Sequence, residues 1–462
     1  MEENMSTIVA ISTAPGIGGI GIIRMSGENS FSILEKIFRQ KKPQKIEDIK
    51  GYTIKYGKII DPKNKQIIDE VLVSYFKKPN SYTTEDMCEI NSHGGVIVMQ
   101  KILEICLENG AQMAEAGEFT KRAFLNGRID LSQAESIIDI INSKTEKEAK
   151  ASIHQLNGFL SNKINDIKKD ILDVMVDIEA SIDYPEYDIE EVSYQKIEDT
   201  LYKVKGKLEE LERTFYNGKI IKEGIKVAII GKPNAGKSSL LNAILREERA
   251  IVTEYEGTTR DTIEEFMNID GIPLKLIDTA GIRNAKDEVE KIGIEKAKEI
   301  AKEADLIIAI FDATKELDNE DKKIIEEFEK KKAIIVLNKI DLISQADKIE
   351  KELEYLNKPI VKISALKREG IEKLNQTISE LFKINDIQVD NETIVTNTRH
   401  KEMIRKAKEY NNEALQTLKA KMPLDVITVY IKEILEALGN ITGENVSENI
   451  INEIFAKFCL GK

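Results

Sequence analysis

The chain has 462 residues, of which 32% are charged and 41% are hydrophobic, and its formal net charge is -13. This composition is typical of a globular protein and excludes a disordered, low-complexity chain. The acidic balance argues against nonspecific coating of nucleic acid, because phosphate contacts need Lys and Arg; any RNA contact requires a confined basic patch or a basic partner. The same balance can also serve solubility alone.

The three cysteines, Cys88, Cys106 and Cys459, are too few for a disulfide framework, which fits a reducing cytoplasm. No stretch approaches the ~18 uncharged apolar residues of a membrane-spanning helix. The first residues lack the basic region and apolar core of an export signal. We therefore expect a cytoplasmic protein without a membrane span, and we find no zinc-ligand spacing in its sequence.

Residues 1 to about 120 predict an α+β domain. Two helices are indicated by the apolar spacing, "NSFSILEKIF" and "GGVIVMQKILEICLENG", the second ending at Gly110. Four strands are indicated by short apolar runs between turn residues: "TIVAIS", "GGIGIIRMS", "DEVLVSYF" and "DMCEINSH".

From about residue 130 the apolar spacing changes to that of helices. One stripe runs from Ile153 to Ile182 at steps of three or four and predicts a single long helix. The stretch "DYPEYDIEE" predicts a turn, and a second stripe runs from Ile197 to Phe215. Two such stripes indicate an antiparallel helix pair that needs further helices to cover it.

Strands alternate with helices from about 225 to 385, which predicts a parallel α/β sheet. After that the chain becomes helical again, so the α/β unit is inserted between two helical segments that we expect to pack together. We therefore predict a multidomain α+β and α/β fold whose segments are 1–122, 123–222, 223–385 and 386–462.

The stretch "GKPNAGKSS" carries the phosphate-loop pattern at Gly231, Gly236, Lys237 and Ser238, between a predicted strand and a predicted helix. The glycines let backbone N–H groups surround phosphate oxygens at a helix N-terminus. Lys237 is expected to reach the β- and γ-phosphates, and Ser238 to hold Mg²⁺.

Two further stretches complete a phosphate and magnesium site. Asp278 in "DTAG" is expected to bind Mg²⁺ through water, and Gly281 to offer its N–H to the γ-phosphate. In "EGTTRD", either Thr258 or Thr259 is expected to close over the metal in the GTP state.

The stretches "NKID" and "SAL" are expected to bind the base of the nucleotide. A carboxylate at Asp341, after Asn338 and Lys339, can accept two hydrogen bonds from guanine, whereas adenine presents an acceptor there. The N–H of Ala365 can donate to the guanine carbonyl. These motifs stand in the order of a GTPase domain, so the sequence predicts GTP as the nucleotide.

The site lacks two usual catalytic groups. Ile282 occupies the place of the glutamine that orients water in Ras-like enzymes, and no arginine finger is identifiable. Glu290 is a candidate for positioning water, or one solvated carboxylate among several. Asn234, with carbonyls of "TEYEGT", could hold a monovalent cation, or Asn234 could only satisfy its own loop.

The whole chain resembles the MnmE (TrmE) family of tRNA modification GTPases. The motifs that carry the resemblance are, in order, "GIGGIGIIRMSG", "NSYTTEDMCEINSHGG", "GEFTKRAFLNGRIDLSQAE", "GKPNAGKSSLLN", "GTTRD", "DTAGIR", "EVEKIGIEKA" and "FCLGK". The resemblance implies an N-terminal domain that binds tetrahydrofolate and dimerises, a discontinuous helical domain and an inserted GTPase domain.

The resemblance also implies a reaction and its partners. Family members work with the flavin-dependent partner MnmG (GidA), which carries FAD, to add an aminomethyl or carboxymethylaminomethyl group to the wobble uridine of certain tRNAs. A tetrahydrofolate derivative supplies the one-carbon unit, and the GTPase domains of a homodimer associate when GTP, Mg²⁺ and K⁺ are bound.

Site residues follow from the matched motifs. For catalysis the matches are Glu290, Lys237 and Cys459, although Cys459 could equally be a packing residue. The residues matched to K⁺ are Asn234, Thr253, Tyr255 and Thr258, and those matched to Mg²⁺ are Ser238, Thr259 and Asp278. The residues matched to folate are Arg24, Glu89, Arg128 and Lys462, with Arg128 standing where Lys is frequent. The residues assigned to GTP are Asn234, Gly236, Lys237, Ser238, Ser239, Thr253, Thr258, Thr259, Asp278, Thr279, Gly281, Asn338, Lys339, Asp341, Ser364 and Ala365.

Two alternatives stay open at this point. His93, beside two glycines, is either structural or catalytic, with the structural role favoured. A ribosome-assembly or RNA-binding GTPase switch without modification chemistry is the alternative function, although no appended RNA-binding module is visible.

Overall fold

The computed structural model describes residues 6–183, 190–247, 266–277, 303–342, 346–387 and 393–462. The chain divides into two compact units. Unit 1 consists of residues 1–138, 156–176 and 428–462, and unit 2 of residues 139–155 and 177–427. The predicted boundaries of the four segments stay predictions.

Unit 1 contains a seven-stranded sheet whose order is β3-β4-β5-β6-β2-β1-β7 in the described residues. Neighbouring strands are antiparallel except for β1 and β7, which are parallel. The strands are β1 Ile8–Ile11, β2 Gly18–Ser26, β3 Phe38–Gln40, β4 Thr53–Ile60, β5 Ile67–Phe76, β6 Met87–Gly94 and β7 Gln112–Met113. The four predicted strands of this region are confirmed, while β3, β4 and β7 were not predicted.

Two helices cover one face of this sheet, α1 (Ser30–Ile37) and α2 (Val96–Glu108). The strands bury every second side chain beneath them; in β5, Val71 and Val73 are buried while Leu72 is exposed. Both predicted helices are therefore confirmed.

Unit 1 also joins the C-terminal residues to the motif "EFTKRAFLNGRIDLSQAE". Helix α3 (Glu118–Leu125) and the start of helix α4 (Leu131–Asn142) share one apolar cluster with the last helix of the chain, Glu448–Phe455. Residues more than 300 positions apart thus form one core, which brings the chain's last residues to the sheet.

The single long helix predicted between residues 153 and 182 is wrong. Helix α5 (Glu146–Leu156) ends before helix α6 (Phe159–Asp183) begins. Gly158 between them has a φ of +82°, a left-handed conformation that ends a helix and favours glycine. The apolar spacing continues across this break, which is why the sequence pattern did not reveal it.

Unit 2 contains a six-stranded sheet in its described residues, with the order β13-β12-β11-β8-β10-β9. The strands are β8 Ile225–Ile230, β9 Phe266–Ile269, β10 Ile272–Leu276, β11 Leu306–Asp312, β12 Ala333–Asn338 and β13 Ile360–Ile363. The predicted parallel arrangement is confirmed for β8, β10, β11, β12 and β13, while β9, which was not predicted, runs antiparallel to β10. Asp270 and Gly271 both have positive φ there, as a two-residue hairpin turn requires.

The remaining helices of the described residues belong partly to unit 2 and partly to unit 1. They are α7 Glu190–Glu223, α8 Lys237–Glu247, α9 Asn319–Phe328, α10 Ala346–Leu353, α11 Ile371–Leu381, α12 Thr398–Lys419 and α13 Leu424–Thr442, and the final helix Glu448–Phe455 is α14. Helices α7 and α12 pack together, as predicted for the two segments that flank the insertion. The fully buried Asn411 of α12 donates to the carbonyl of Leu201 in α7, and Lys408 pairs with Glu212.

Among the helices of these described segments, none combines the length and apolar character that a membrane crossing requires.

Two glycines of α7 give a matched test of this packing. At Gly218 a Cβ would lie 2.1 Å from the carbonyl oxygen of Val395, whereas at Gly206 it would meet nothing within 4 Å. We predict that Gly218→Ala destabilises the protein by about 1–3 kcal/mol through overpacking. Gly206→Ala should stabilise it by about 0.5–1 kcal/mol, because alanine favours helix.

Urea unfolding followed by circular dichroism measures both variants. Opposite shifts of the unfolding midpoint are expected, and equal midpoints in the two variants would contradict the described contact between α7 and the segment at Val395.

Candidate functional sites

The phosphate loop connects the end of β8 to the start of α8. Gly236 has a φ of +106°, and a Cβ there would lie 2.1 Å from the amide nitrogen of Asn338. Glycine is therefore required both by the backbone and by the close approach of a neighbouring loop. The loop leads into the N-terminus of α8, where unpaired N–H groups favour an anion.

The two lysines of the loop have different partners. The ammonium of Lys237 donates to the carbonyls of Gly231 (2.7 Å) and Lys232 (2.8 Å), and burial lowers its pKa. The ammonium of Lys232 instead lies 2.7 Å from carboxylate oxygens of both Asp318 and Asp321 at the start of α9. The hydrogen bond from Lys232 to Asp318 lowers the pKa of the Asp318 carboxyl group to about 2. Lys237 is thus the loop lysine suited to phosphate, while Lys232 tethers the loop.

Polar side chains at the mouth of the loop are exposed. Asn234 has a φ of +63° and an exposed side chain, and Ser238 and Ser239 are exposed in the first turn of α8. A left-handed residue within a turn directs successive N–H groups to one side, which forms an anion-binding concavity. The amide oxygen of Asn234 and the hydroxyl of Ser238 are chemically suited to K⁺ and Mg²⁺ respectively.

Asn338 connects the phosphate loop to the loop that carries "SAL". It is only 2% exposed, its amide nitrogen donates to the carbonyl of Ala235 (2.8 Å), and the N–H of Ala365 donates to its amide oxygen (3.0 Å). The predicted hydrogen bond from the N–H of Ala365 to a guanine carbonyl would therefore either replace the bond to Asn338 or share the same hydrogen with it. The role of Asn338 that the structure describes is to hold two loops together.

The carboxylate of Asp341 is oriented by Ser364. The hydroxyl of Ser364 donates to Asp341 at 2.7 Å, and this bond lowers the pKa of the carboxyl group. Ser364 is itself fixed, because its backbone exchanges two hydrogen bonds with Glu369. Lys339, with a φ of +69°, pairs with Asp312 at 2.6 Å. The structure therefore brings Asn338, Asp341 and Ala365 to one edge of the sheet, beside the phosphate loop.

The remaining predicted residues of this site lie outside the described residues: Thr253, Tyr255, Thr258, Thr259, Asp278, Thr279, Gly281, Ile282 and Glu290. Their assigned roles stay predictions. The described chain continues to Ile277, whose N–H donates to the carbonyl of Val227 in β8 at 3.0 Å.

A second site forms in unit 1 around the last four residues, Cys459–Lys462, which we call the tail. Its main chain is held by unit 1 at several points. The N–H of Gly117 donates to the carbonyl of Cys459 (3.4 Å), and the N–H of Phe119 donates to the carbonyl of Lys462 (3.2 Å). The hydroxyl of Ser12 donates to the carbonyl of Gly461 (3.0 Å). Gly461 has a φ of +88°, and a Cβ there would lie 2.4 Å from the carbonyl oxygen of Ile11.

Arg24 lies at the centre of this second site. Its guanidinium pairs with Glu89 at 2.9 Å, donates to the carbonyl of Gly461 at 3.2 Å, and lies over the rings of Tyr82 (5.3 Å) and Phe119 (5.6 Å). Arg24 and Glu89 stand opposite each other in β2 and β6, so the sheet register fixes the pair. A positive group between two aromatic rings suits an aromatic, anionic ligand.

The other predicted folate residues lie beside Arg24. The guanidinium of Arg128 lies 4.5 Å from the ring centre of Tyr82, on an exposed side chain. The pKa of Lys462 is lowered by burial and by the charge of Arg24. Cys459 is exposed, so a purely apolar packing role does not describe it. The structure thus brings together all four residues that the sequence assigned to folate.

Sequence reasoning missed the aromatic residues of this site. Tyr82 and Phe119 come from different segments, and no spacing signal links them to Arg24. The contact of Tyr82 with Thr120 (2.9 Å between hydroxyls) places its ring, and Phe119 is fully buried. The ring of His93 contacts the carboxylate of Asp69 at 2.8 Å, and its structural role stays a prediction.

Two family models match the chain. The model of the family described as "GTP-binding protein TrmE N-terminus" matches residues 7–128, and the model described as "MnmE helical domain" matches residues 131–459.

Three relatives match the chain over nearly its whole length. The protein named tRNA modification GTPase MnmE from Acetivibrio thermocellus is 49% identical over 456 residues. Proteins of the same name from Thermoanaerobacter pseudethanolicus and Clostridioides difficile are each 50% identical, over 458 and 457 residues. In all three cases 99% of each chain is covered.

The hydroxyl of Ser364 provides a test of the guanine side of the first site. We predict that Ser364→Ala weakens GDP binding about threefold to tenfold, because the carboxylate of Asp341 loses one orienting hydrogen bond worth ~0.5–1.5 kcal/mol. Isothermal titration calorimetry measures this affinity. The control Asp347→Asn, which removes an exposed ion pair with Lys362, should bind GDP like the parent protein. Unchanged affinity in Ser364→Ala would contradict the role given to this bond.

Proposed function

The chain belongs to the MnmE family of tRNA modification GTPases, and from this membership we propose that it couples GTP hydrolysis to modification of the wobble uridine in certain tRNAs. The product would be an aminomethyl or carboxymethylaminomethyl uridine. The observation that carries this proposal is the full-length similarity combined with a phosphate loop and guanine-facing loops at one sheet edge. A ribosome-assembly switch would need only the second of these features.

For GTP, the described side chains support a division of roles. Lys237 would bind the β- and γ-phosphates, Asp341 would accept hydrogen bonds from guanine, and Asn338 would hold their two loops at a fixed separation. Lys339 would lie along the base. Ser239 adjoins Ser238 in the first turn of α8, where backbone N–H groups face the phosphates.

Two metal ions complete the proposed site. Mg²⁺ would be held by Ser238 with Thr259 and Asp278, and K⁺ by Asn234 with Thr253, Tyr255 and Thr258. When bound, these cations would offset phosphate charge, the task that an arginine finger performs in other GTPases. The exposed amide of Asn234 supports the potassium assignment. Glu290 would orient the attacking water, since Ile282 has no hydrogen-bonding group.

In unit 1, we propose that the site around Arg24 binds a one-carbon derivative of tetrahydrofolate. The pair of guanidinium groups from Arg24 and Arg128, both over the ring of Tyr82, supports an aromatic ligand that carries carboxylates. Glu89 orients Arg24, and Lys462 adds a half-buried amine. When bound, the folate would supply the one-carbon unit, and the exposed thiol of Cys459 is available to that chemistry.

The remaining assignments concern assembly. We propose a homodimer that acts with the FAD-containing partner MnmG in the cytoplasm, where tRNA is modified. The family resemblance supports this assembly, and the chain would contribute GTP hydrolysis and folate binding while the partner contributes the flavin.

Replacing K⁺ by Na⁺ tests the charge-balancing proposal. We predict that GTP turnover of the purified protein falls at least about tenfold in Na⁺, because the smaller ion fits the proposed ligands poorly, a barrier change of ~1.4 kcal/mol. The Asn234→Ala variant should hydrolyse GTP at the same rate in K⁺ and in Na⁺, while it still binds GDP. Equal turnover in K⁺ and Na⁺ by the parent protein would contradict the assignment of Asn234.

Mass spectrometry of tRNA tests the proposed function itself. Cells lacking this protein should lose the aminomethyl or carboxymethylaminomethyl group at the wobble uridine. The parent gene should restore the group, whereas Lys237→Ala should not, because it removes the phosphate-binding ammonium. Full modification in the deletion strain would contradict the function.

A further inference from the structure

One short stretch of the chain is strongly basic, although the protein as a whole is acidic. The protein carries 81 acidic and 68 basic residues, yet residues 36–58 contain eight basic residues and only two acidic ones. The basic residues are Lys36, Arg39, Lys41, Lys42, Lys45, Lys50, Lys55 and Lys58. We call this stretch the basic edge. In an acidic protein, such a stretch is the confined patch that contact with a polyanion requires.

The basic edge lies at one end of the sheet of unit 1, where β3 is the last strand. Arg39 in β3 stands directly opposite Lys58 in β4, and the loop between these strands carries Lys42, Lys45 and Lys50. Like charges opposite each other on a sheet destabilise it unless something offsets them. Glu70 of β5 offsets the charge of Lys58, whereas no carboxylate among the described residues pairs with Arg39, so an anionic partner is suggested at Arg39 and the loop lysines.

Few of these charges are neutralised within the protein. Among the described residues, Lys58 is the one member of the basic edge with a carboxylate partner, Glu70 at 3.4 Å. Lys36 donates to a carbonyl of Asn109, Arg39 to the carbonyl of Glu35, and Lys55 to the amide oxygen of Gln44, contacts that leave the positive charge unbalanced. Lys42, Lys45 and Lys50 are exposed on the loop.

Exposed aromatic side chains lie among the charges. Tyr52 is 71% exposed and meets Phe76 edge to face at 5.8 Å, and Tyr56 is 41% exposed with the ammonium of Lys41 at 5.3 Å from its ring centre. Aromatic side chains interleaved with lysines are the usual surface for unstacked bases of RNA, which stack on the rings while the lysines meet phosphates.

A cavity adjoins the loop of the basic edge. Its volume is about 380 Å³, and its lining includes Leu34, Phe38, Tyr75, Gln40 and Lys45. The side-chain oxygen of Gln40 is buried with no hydrogen-bond partner in the described residues. A nucleobase can offer N–H groups to such an oxygen and a flat face to the aromatic side chains of the cavity.

We propose that the basic edge of unit 1 contacts RNA, its lysines meeting phosphates and its aromatic residues and cavity meeting unpaired bases. This inference rests on the proposed function, in which tRNA is the substrate, and it identifies the surface of this chain that would contact the tRNA. Lysines also deter pairing between exposed edge strands, but that effect accounts for Arg39 and Lys41 on or beside the strand and not for the three lysines of the loop.

The test uses the full-length protein and an unmodified tRNA transcript. A variant with Lys41→Glu, Lys42→Glu and Lys45→Glu is compared with a control that carries Lys163→Glu, Lys169→Glu and Lys457→Glu, three exposed residues of unit 1 with the same change in net charge. Fluorescence anisotropy gives the affinity between 50 and 300 mM KCl. GTP turnover of each variant is measured in parallel.

The parent protein and the control should bind the transcript alike. The basic-edge variant should bind at least about tenfold more weakly, with the slope of log affinity against log salt reduced by about 2, since each lost phosphate contact removes ~0.7–0.9 from that slope. Its GTP turnover should stay normal, which separates failure of this proposal from failure of the GTPase assignment.

Equal affinity and slope in the basic-edge variant and the control would overturn the proposal. It would also be overturned if polyglutamate bound the basic edge while the transcript did not, because the surface would then serve an acidic protein.

Discussion

The main-chain contacts of the tail are the constraint on which the site in unit 1 depends. Ser12 and the segment with Gly117 and Phe119 hold the tail from two places in the chain, and the carbonyl of Gly461 in turn accepts from Arg24. Arg24 is thereby fixed on two sides, by Glu89 of the neighbouring strand and by the chain's last residues. A site assembled in this way exists only when the tail and the sheet are folded together.

The nucleotide site of unit 2 uses a similar device. Asn338 joins the phosphate loop to the loop of Ala365, so one buried amide holds these two loops together. Lys232 adds a second tether through Asp318 and Asp321. These contacts pre-organise the site, which reduces the ordering that nucleotide binding would otherwise require.

Much of this architecture follows from local sequence rules, and the exceptions have physical reasons. The phosphate loop and the strands around it are local patterns, so they could be predicted. The break at Gly158 could not, because the apolar spacing continues through it, and the hairpin at Asp270 was hidden within an otherwise parallel pattern. Tyr82 and Phe119 reach Arg24 only through tertiary packing, which no spacing in the sequence encodes.

Binding of 5-formyltetrahydrofolate to the full-length protein, followed by calorimetry, tests most directly whether the tail completes a folate site. The account predicts saturable binding by the parent protein and by Gly51→Ala, where a Cβ meets only ordinary contacts. Gly461→Ala, whose Cβ would press on Ile11, should bind at least about tenfold more weakly, a loss of ~1.4 kcal/mol. Equal affinity in Gly461→Ala and the parent protein, or no binding by the parent protein, would contradict the account.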